Sequence, residues 1–368
     1  MSGSRIFALR NRLLTRPAFR RTAEKIPFIQ RVARRQSVEL FRLCSGFIHS
    51  QVLLACVRLD LFERLRNGPL EPADIALGAG LARRRCEHLL RAAAALGLLE
   101  RRPDGRYGLG VLGATLIDNG AVLALVEHHA LLYEDLVDPV ALFAGAAGPT
   151  RLSRLWPYAD AERPDSLGAE DVGPYSDLMA ASQTMIAAQV LDAVSLRRAR
   201  SLLDLGGGSG AFVAAVAGRW PRIRLALCDL PAVADIARTR LAAAGRGDRV
   251  EVVGGDATRT TLPGGFDVVS LVRILHDHDD ERALALLGAA RRSLRPGGVL
   301  LVAEPLADAP GAGRVIDAYF SVYLLAMGSG KPRTRAELQA LLETAGFRRI
   351  RRRRTRVPLI TSVLTARS

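Results

Sequence analysis

The chain of 368 residues is 49% hydrophobic and 24% charged, a globular composition that excludes a disordered, collagenous or coiled-coil protein. Its length predicts two domains. The four cysteines are widely spaced and form no CxxC pair, which indicates neither a disulfide framework nor a zinc cluster. No run of about 18 apolar residues occurs, so we expect neither a transmembrane span nor a secretory signal, although the arginine-rich start before Glu24 also fits an organelle transit segment.

The net charge of +15 is carried by the two ends of the chain. Residues 1–42 hold eleven basic residues against two acidic ones, at helical spacing, which predicts a basic amphipathic arm interrupted by Pro17 and Pro27. Residues 346–368 hold eight arginines and no acid. A nucleic-acid groove needs basic residues on the folded body among aromatics, but aromatics make up only 5%. We therefore expect no nucleic-acid partner and peripheral contact with an anionic membrane; packing of the arm on another subunit is the alternative.

Residues 43–170 predict a mainly helical domain. A short helix near 72–77, a longer helix near 82–96 and a hairpin turned by an Asp-Gly pair follow in winged-helix order. The second helix carries arginines and little else that is polar, so we do not expect this module to bind DNA. The segment 145–171, rich in Pro and Gly, is the predicted linker.

Residues 171–368 alternate short apolar, β-branched runs with helical stretches, which predicts a doubly wound, mostly parallel sheet of the α/β class. The last two strands follow each other closely, so we expect an antiparallel edge. The predicted strands are 201–205, 223–228, 250–253, 266–272, 299–303, 346–356 and 357–366, and the predicted helices between them are 211–219, 232–244 and 281–294.

The first of these strands runs through Asp204 into a loop with glycines at 206, 208 and 210, and then into a helix. Glycines allow a tight turn and close approach of a ligand, and the helix amino end offers free N–H groups. Asp229 and Asp256 follow the next two strands, where carboxylates can accept hydrogen bonds from ribose hydroxyls and an adenine amino group. The pattern DxGxGxG matches this loop at every position, whereas the dinucleotide fingerprint GxGxxG has Ala211 in place of its last glycine. The loop therefore favours S-adenosylmethionine over NAD.

The fourth strand ends near His276, which should face the reactive end of the cofactor. A histidine is the natural general base for a hydroxyl, and Glu304, at the end of the neighbouring strand, can orient the imidazole through its second nitrogen. A metal site with His278 is the alternative that the spacing raises, and a structural role is another. Consecutive side chains of a turn point apart, so we expect no metal.

Taken together, these features resemble the S-adenosylmethionine-dependent small-molecule O-methyltransferases of the dimeric plant and bacterial type. The resemblance implies a seven-stranded class I methyltransferase sheet of the Rossmann-like type behind a winged-helix dimerisation domain. It also implies a homodimer, with His276 as base, Glu304 as its flanking carboxylate, Asp229 on the ribose and Asp256 beside adenine. The motifs that carry it are Leu203 to Gly210, Asp229-Leu230-Pro231, Gly255-Asp256, His276-Asp277, Arg295 to Gly298 and Gly330 to Thr334.

The expected cofactor contacts are Asp204, Gly206, Gly208, Gly210, Asp229, Leu230, Asp256, Ala257 and Arg273; the expected substrate contacts are Met179, Tyr323, Met327 and His128. Two departures from the family pattern stand out. His278 replaces a common tryptophan, and Pro332 replaces a second glutamate that flanks the base in plant members. We therefore expect His276 to have at most one of the two usual carboxylate partners.

Within the family, the segments 50–60 and 126–133 resemble the bacterial carotenoid enzymes of the demethylspheroidene or hydroxyneurosporene type. This implies methylation of the terminal tertiary hydroxyl of an acyclic carotenoid by a cytoplasmic enzyme in peripheral contact with the inner, photosynthetic membrane. Methylation of an aromatic or polyketide hydroxyl is the alternative. A non-catalytic winged-helix regulator that binds a small ligand is the alternative from a different class.

Overall fold

The computed structural model describes residues 7–8, 11–12, 15, 27–155, 182–359 and 361–368. The chain forms two compact units, Met1–Asp118 and Asn119–Ser368. The sequence placed its boundaries at 42/43 and 170/171 instead. The 42/43 boundary falls inside one continuous helix. The segment that follows Asp118 belongs to the second unit, because its helices pack against the carboxyl-terminal half of the chain.

The first unit is helical with one small hairpin, and its elements keep the predicted winged-helix order. Leu70 pairs with Tyr107 through two backbone hydrogen bonds of 2.9 Å and adds an isolated bridge to the two-stranded hairpin. Its core contains the buried side chains Leu61, Ile75 and Leu90. The elements are α1 Pro27–Arg58, α2 Leu61–Arg64, α3 Pro72–Gly78, α4 Arg83–Ala95, β1 Leu99–Arg101, β2 Tyr107–Leu109 and α5 Val111–Ala114.

Helix α1 is longer than the arm pattern predicted and buries little of itself. Pro27 begins it, as proline is suited to the first turn of a helix. Phe41 and Phe47 are 72% and 68% exposed. By length and composition α1 could cross a membrane. The sequence search had required an unbroken apolar run, whereas here serine, histidine and glutamine lie among the apolar residues. Core helices and signal sequences pass the same test, so it does not establish a span.

The second unit is built on a seven-stranded sheet of order β5-β4-β3-β6-β7-β9-β8. β3 to β7 are mutually parallel, and β9 is antiparallel to both β7 and β8, which confirms the predicted fold class and its antiparallel edge. The strands are β3 Ser201–Leu205, β4 Arg224–Asp229, β5 Val250–Gly254, β6 Phe266–Val272, β7 Leu294–Glu304, β8 Arg348–Arg353 and β9 Ser362–Arg367.

Helices cover both faces of this sheet, and alternate strand residues point into two apolar cores. Leu203 and Leu300 belong to one core, and Leu202 and Leu301 belong to the other. The helices of this unit are α6 Gly120–Asp135, α7 Pro139–Phe143, α8 Arg151–Leu155, α9 at 182–193, α10 Ala211–Arg219, α11 Pro231–Ala243, α12 Asp280–Ser293, α13 Gly313–Met327 and α14 Arg335–Thr344.

The loop between α13 and α14 braces the turn that follows β6. Arg333 is 3% exposed and donates to the carbonyls of Leu275 and His278 and to the Asp280 carboxylate. Lys331 donates from its backbone N–H to the His276 carbonyl at 3.0 Å and from its ammonium to Asp280 at 2.8 Å. The turn is therefore held by a segment more than fifty residues away in sequence.

Gly330 permits this contact because only a glycine fits there. Its φ is +85°, and a Cβ would lie 2.2 Å from the His276 carbonyl oxygen. Gly311 has a similar φ of +75°, but a Cβ there would meet no atom within 4 Å. The two positions share backbone strain and differ in the steric clash.

We predict that Gly311→Ala lowers the free energy of unfolding by about 1 kcal/mol, the cost of a left-handed non-glycine residue. Gly330→Ala should lower it by about 3 kcal/mol or more, because the loop must also move away from the turn. Thermal or denaturant unfolding of the two variants measures the difference. Equal losses would show that the close approach at Gly330 contributes nothing.

Candidate active site

The glycine loop lies in the crevice between β3 and β6, where the chain order of the sheet reverses and where open α/β sheets bind ligands. The Gly206 N–H donates to the Cys228 carbonyl at 2.8 Å, and a Cβ on Gly206 would lie 2.5 Å from Ile274. Gly210 ends the loop as the residue before α10. A Cβ on Gly208 would meet no atom within 4 Å, so the loop faces open space there.

Two carboxylates end β3 and β4 beside this loop. Asp229 is half-buried and accepts hydrogen bonds from the N–H groups of Gly208 at 2.7 Å and Leu230 at 2.8 Å. Burial raises the pKa of Asp229 to about 6, although the two backbone donors act in the opposite direction. Asp204 is 1% exposed. Among the described residues, the one hydrogen bond to its carboxylate comes from Ser270 Oγ at 2.6 Å. Burial raises the pKa of Asp204 to about 7. Asp229 therefore borders the open space, and Asp204 joins β3 to β6 through Ser270.

Asp256 lies after β5 and is 4% exposed. It accepts hydrogen bonds from the N–H and Oγ1 of Thr258 at 2.9 and 2.8 Å and from Arg282 at 2.8 Å. Burial would raise the pKa of Asp256, but these donors outweigh it and hold the pKa below its usual value. Ala257, beside it, is buried. Sequence reasoning missed Arg282, which lies in the first turn of α12, twenty-six residues further along.

His276 is buried and fixed by Glu304, as the sequence predicted. Glu304 Oε2 lies 2.6 Å from the imidazole Nδ1, while its Oε1 accepts the N–H groups of Ile274 at 3.1 Å and Leu275 at 2.7 Å. A carboxylate only accepts hydrogen bonds, so this contact indicates that Nδ1 carries a proton. Phe320, which the sequence did not predict, packs edge-on against the ring at a centroid distance of 5.5 Å.

A second carboxylate lies at the other nitrogen of His276. Asp277 Oδ1 is 3.1 Å from Nε2, and the Asp277 side chain is 5% exposed. Burial raises the pKa of Asp277 to about 6. The expectation of at most one of the two usual flanking carboxylates concerns Glu304 and the position that Pro332 occupies, and Asp277 is a further carboxylate outside that pair. A 3-10 turn over Leu275–Asp277 places it beside the ring.

Arg273 connects β6 to this turn with a φ of +58°, which is rare outside glycine. Its N–H donates to the Ala303 carbonyl at 2.8 Å, and its Nε is buried without a hydrogen-bond partner among the described residues. The residues present fit S-adenosylmethionine. Asp229 can accept from ribose hydroxyls, open space lies beside Gly208, and Arg273 Nε is a donor free for a carboxylate.

Helices α6 and α13 form an aromatic cluster next to His276. His128 bonds to the Tyr323 hydroxyl and His129 to the Tyr319 hydroxyl, each at 2.8 Å. Phe320 contacts both tyrosines and His276. Burial lowers the pKa of His128 to about 4, and burial also raises the pKa of Tyr323 above its usual range, so both side chains stay neutral.

Three of the predicted substrate contacts, His128, Tyr323 and Met327, thus lie in one apolar region; Met327 is 1% exposed within it. Met179 lies outside the described residues. His278 is half-buried, and burial lowers its pKa to about 4. Within the described part of the chain, no group of three or more histidine, cysteine or acidic side chains could hold a metal ion.

Two protein-family models match the chain: an O-methyltransferase domain over residues 167–348 and an O-methyltransferase dimerisation domain over residues 41–119. The second supports the homodimer expected from the sequence.

Similar proteins cover nearly the whole chain. Demethylspheroidene O-methyltransferase of Cereibacter sphaeroides is 41% identical over 95% of this chain and 91% of its own length. The protein of the same name from Rhodobacter capsulatus is 39% identical over 93% and 85%. A solved structure described as "PigF with SAH" has a TM-score of 0.65 and 25% identity, and the match covers 90% of this chain and 99% of that one. The chain belongs to the O-methyltransferase family and is an S-adenosylmethionine-dependent enzyme.

Proposed function

We propose that this enzyme methylates the terminal tertiary hydroxyl of an acyclic carotenoid, with His276 as the general base. The observation that carries the mechanism is the 2.6 Å contact between Glu304 and His276 Nδ1, which leaves Nε2 as the proton acceptor. The names of the two bacterial relatives and the apolar, aromatic cluster beside the base support the choice of substrate.

S-adenosylmethionine supplies a methyl group on a positively charged sulfur. A tertiary alcohol is a far weaker acid than imidazolium, so its proton must leave as the oxygen attacks, and His276 Nε2 receives it. The imidazolium that results lies between two carboxylates, Glu304 at Nδ1 and Asp277 at Nε2, which both stabilise its charge. Phe320, packed edge-on against the ring, restricts its rotation.

The predicted domain roles follow the same proposal. Residues 43–170 serve dimerisation, with α6 also contributing to the aromatic cluster, and residues 171–368 bind the cofactor, with Asp229 on the ribose and Asp256 near adenine. Both oxygens of Asp256 already accept bonds from Thr258 and Arg282, so its contribution is to fix the strand end that the adenine meets. Methylation of an aromatic hydroxyl would use the same base, and only a substrate test separates the two.

The deciding measurement is turnover of a panel of hydroxylated acyclic carotenoids, catechols and anthracyclines with labelled methyl donor. We predict turnover of the carotenoids.

His276→Ala should lose on the order of 10² to 10⁴ in turnover, with the affinity for S-adenosylmethionine nearly unchanged. Glu304→Gln should lose less, because the amide still contacts the ring. His278→Ala is the matched control, since its ring contacts neither carboxylate. An active His276→Ala beside an inactive His278→Ala would place the base elsewhere, and turnover of phenols alone would exclude the carotenoid.

Asp277 should make turnover depend on pH. Below a pH of about 6 its carboxyl is protonated, and its O–H can then occupy the lone pair of His276 Nε2. Turnover should therefore rise as the pH increases through 6. Asp277→Asn keeps a neutral donor at that place and should lower turnover at pH 7.5 by about tenfold or more. Asp279→Asn is the control, because asparagine also caps a helix. Wild-type turnover of Asp277→Asn at pH 7.5 would contradict this role.

We also propose a cytoplasmic enzyme that meets an anionic membrane through its basic amino-terminal arm. Eleven basic residues lie within residues 1–42, and each is worth about 1 kcal/mol near an anionic surface. We predict that the full chain sediments with phosphatidylglycerol vesicles, that salt weakens this binding, and that removal of residues 1–25 reduces it. Neutral vesicles are the control. Undiminished binding after the deletion would rule out the arm as the anchor.

A further inference from the structure

A cavity of about 610 Å³ lies at the end of the sheet opposite the active site. Its wall includes Asp267 at the start of β6, while the active site begins after Val272, about 16 Å further along the same strand. The remaining walls come from the chain after α9, from β7, and from the antiparallel edge formed by β9 and β8. The cavity is therefore separate from the site of methyl transfer.

Six arginines line this cavity, which we call the arginine groove: Arg198, Arg295, Arg349, Arg351, Arg353 and Arg367. Asp267 is the one acidic residue of the lining, and it forms an ion pair with Arg295. Five positive charges are thus left without a carboxylate within the lining. Like charges this close repel each other, so an anion that entered the groove would relieve the repulsion.

The arginines differ in how far they are engaged. Arg367 donates to the Gly297 carbonyl at 2.7 Å, and Arg353 donates to Thr365 Oγ1 at 3.1 Å. Arg198, Arg349 and Arg351 are exposed, and their guanidinium groups have no hydrogen bond or ion pair among the described residues. These three approach from two different walls, one from the chain after α9 and the other from β8.

The backbone of β8 is distorted where two of these arginines stand. The pairing with β9 shifts between Arg348 and Arg351, and Arg349 has a φ of +52°, which residues other than glycine rarely adopt. Such an irregularity inserts one extra residue and redirects side chains at a sheet edge. Here Arg349, Arg351 and Arg353 all line the same groove. The strain is retained at the position that adds a guanidinium to the groove.

The chemistry of the lining selects a class of ligand. Guanidinium groups pair in a bidentate manner with phosphate oxygens and stay charged at any physiological pH. A volume of 610 Å³ exceeds that of one inorganic phosphate and is in the range of small-molecule sites. We propose that the arginine groove binds a phosphate-bearing anion, either a soluble diphosphate or the phosphate of a lipid headgroup, with Arg198, Arg349 and Arg351 as its donors.

The test uses the full chain at low salt with three probes: inorganic phosphate, pyrophosphate and phosphatidylglycerol vesicles. Calorimetry measures the soluble anions, and co-sedimentation measures the vesicles. We expect saturable binding of pyrophosphate, tighter than that of phosphate. Arg349→Gln/Arg351→Gln should weaken it at least about tenfold. Arg222→Gln/Arg292→Gln, which removes the same charge from exposed positions of the same unit, should change it less than about twofold.

Arg198 approaches the groove from the other wall, so Arg198→Gln is the second test variant if Arg349→Gln/Arg351→Gln is unstable. Arg198→Gln should also weaken pyrophosphate binding. The amino-terminal arm is intact in all of these variants, so the contribution of the groove is the part of vesicle binding that differs between the groove variants and Arg222→Gln/Arg292→Gln. A weaker vesicle binding of the groove variants alone would identify a lipid headgroup as the ligand, and equal vesicle binding beside weakened pyrophosphate binding would identify a soluble phosphate. The proposal is overturned if pyrophosphate does not bind saturably and the groove variants bind vesicles as the wild type does, or if the groove variants and Arg222→Gln/Arg292→Gln lose binding equally. Methyl transfer should stay at the wild-type level in all of these variants.

Discussion

The carboxylate of Glu304 is the interaction on which the site depends. It ends β7 and accepts three hydrogen bonds from the turn after β6, two from backbone N–H groups and one from His276. One side chain thus joins two neighbouring strand ends, fixes the tautomer of the imidazole and sets the position of the turn. Arg333, from a distant loop, holds the same turn from the other side through the carbonyls of Leu275 and His278. The imidazole of His276 is therefore held in a fixed geometry from two sides of the turn.

This arrangement gathers acidic groups in a place where burial disfavours their charge. The pKa of Asp204, Asp229 and Asp277 is raised, in each case chiefly by burial. A raised carboxyl pKa means that the folded state binds protons more tightly than the unfolded chain. Each of these groups therefore costs stability as the pH rises above its unfolded pKa of about 4, and the cost is complete above its folded pKa. The two apolar cores of the sheet offset that cost. Strain and buried charge at a functional site supported by ordinary packing elsewhere are common in enzymes.

The strands and the helices between them could be predicted from the sequence, because apolar runs bounded by glycine and proline have few other interpretations. The pairing of His276 with Glu304 could also be predicted, since residues that end adjacent parallel strands must meet. The approach of Asp277 to His276 could not be predicted, because it depends on a 3-10 turn whose Leu275 carbonyl accepts from the distant Arg333. Arg282 and Phe320 carry no local signal, because their partners lie 26 and 44 residues away. The arm pattern predicts a shorter α1, because the change of charge near residue 42 does not coincide with a break in the helix.

The chain contains almost no lysine, so the loop between α13 and α14 can be labelled selectively at its one lysine. The chain contains 52 basic side chains, of which only Lys25 and Lys331 are lysines. The Lys331 ammonium pairs with Asp280, the first residue of α12, which follows the turn after β6. Within the folded unit that holds the active site, an amine-selective reagent therefore has a single side-chain target. A spectroscopic or isotopic tag placed there by acylation would sit one residue from Gly330 and report on the turn without mutagenesis.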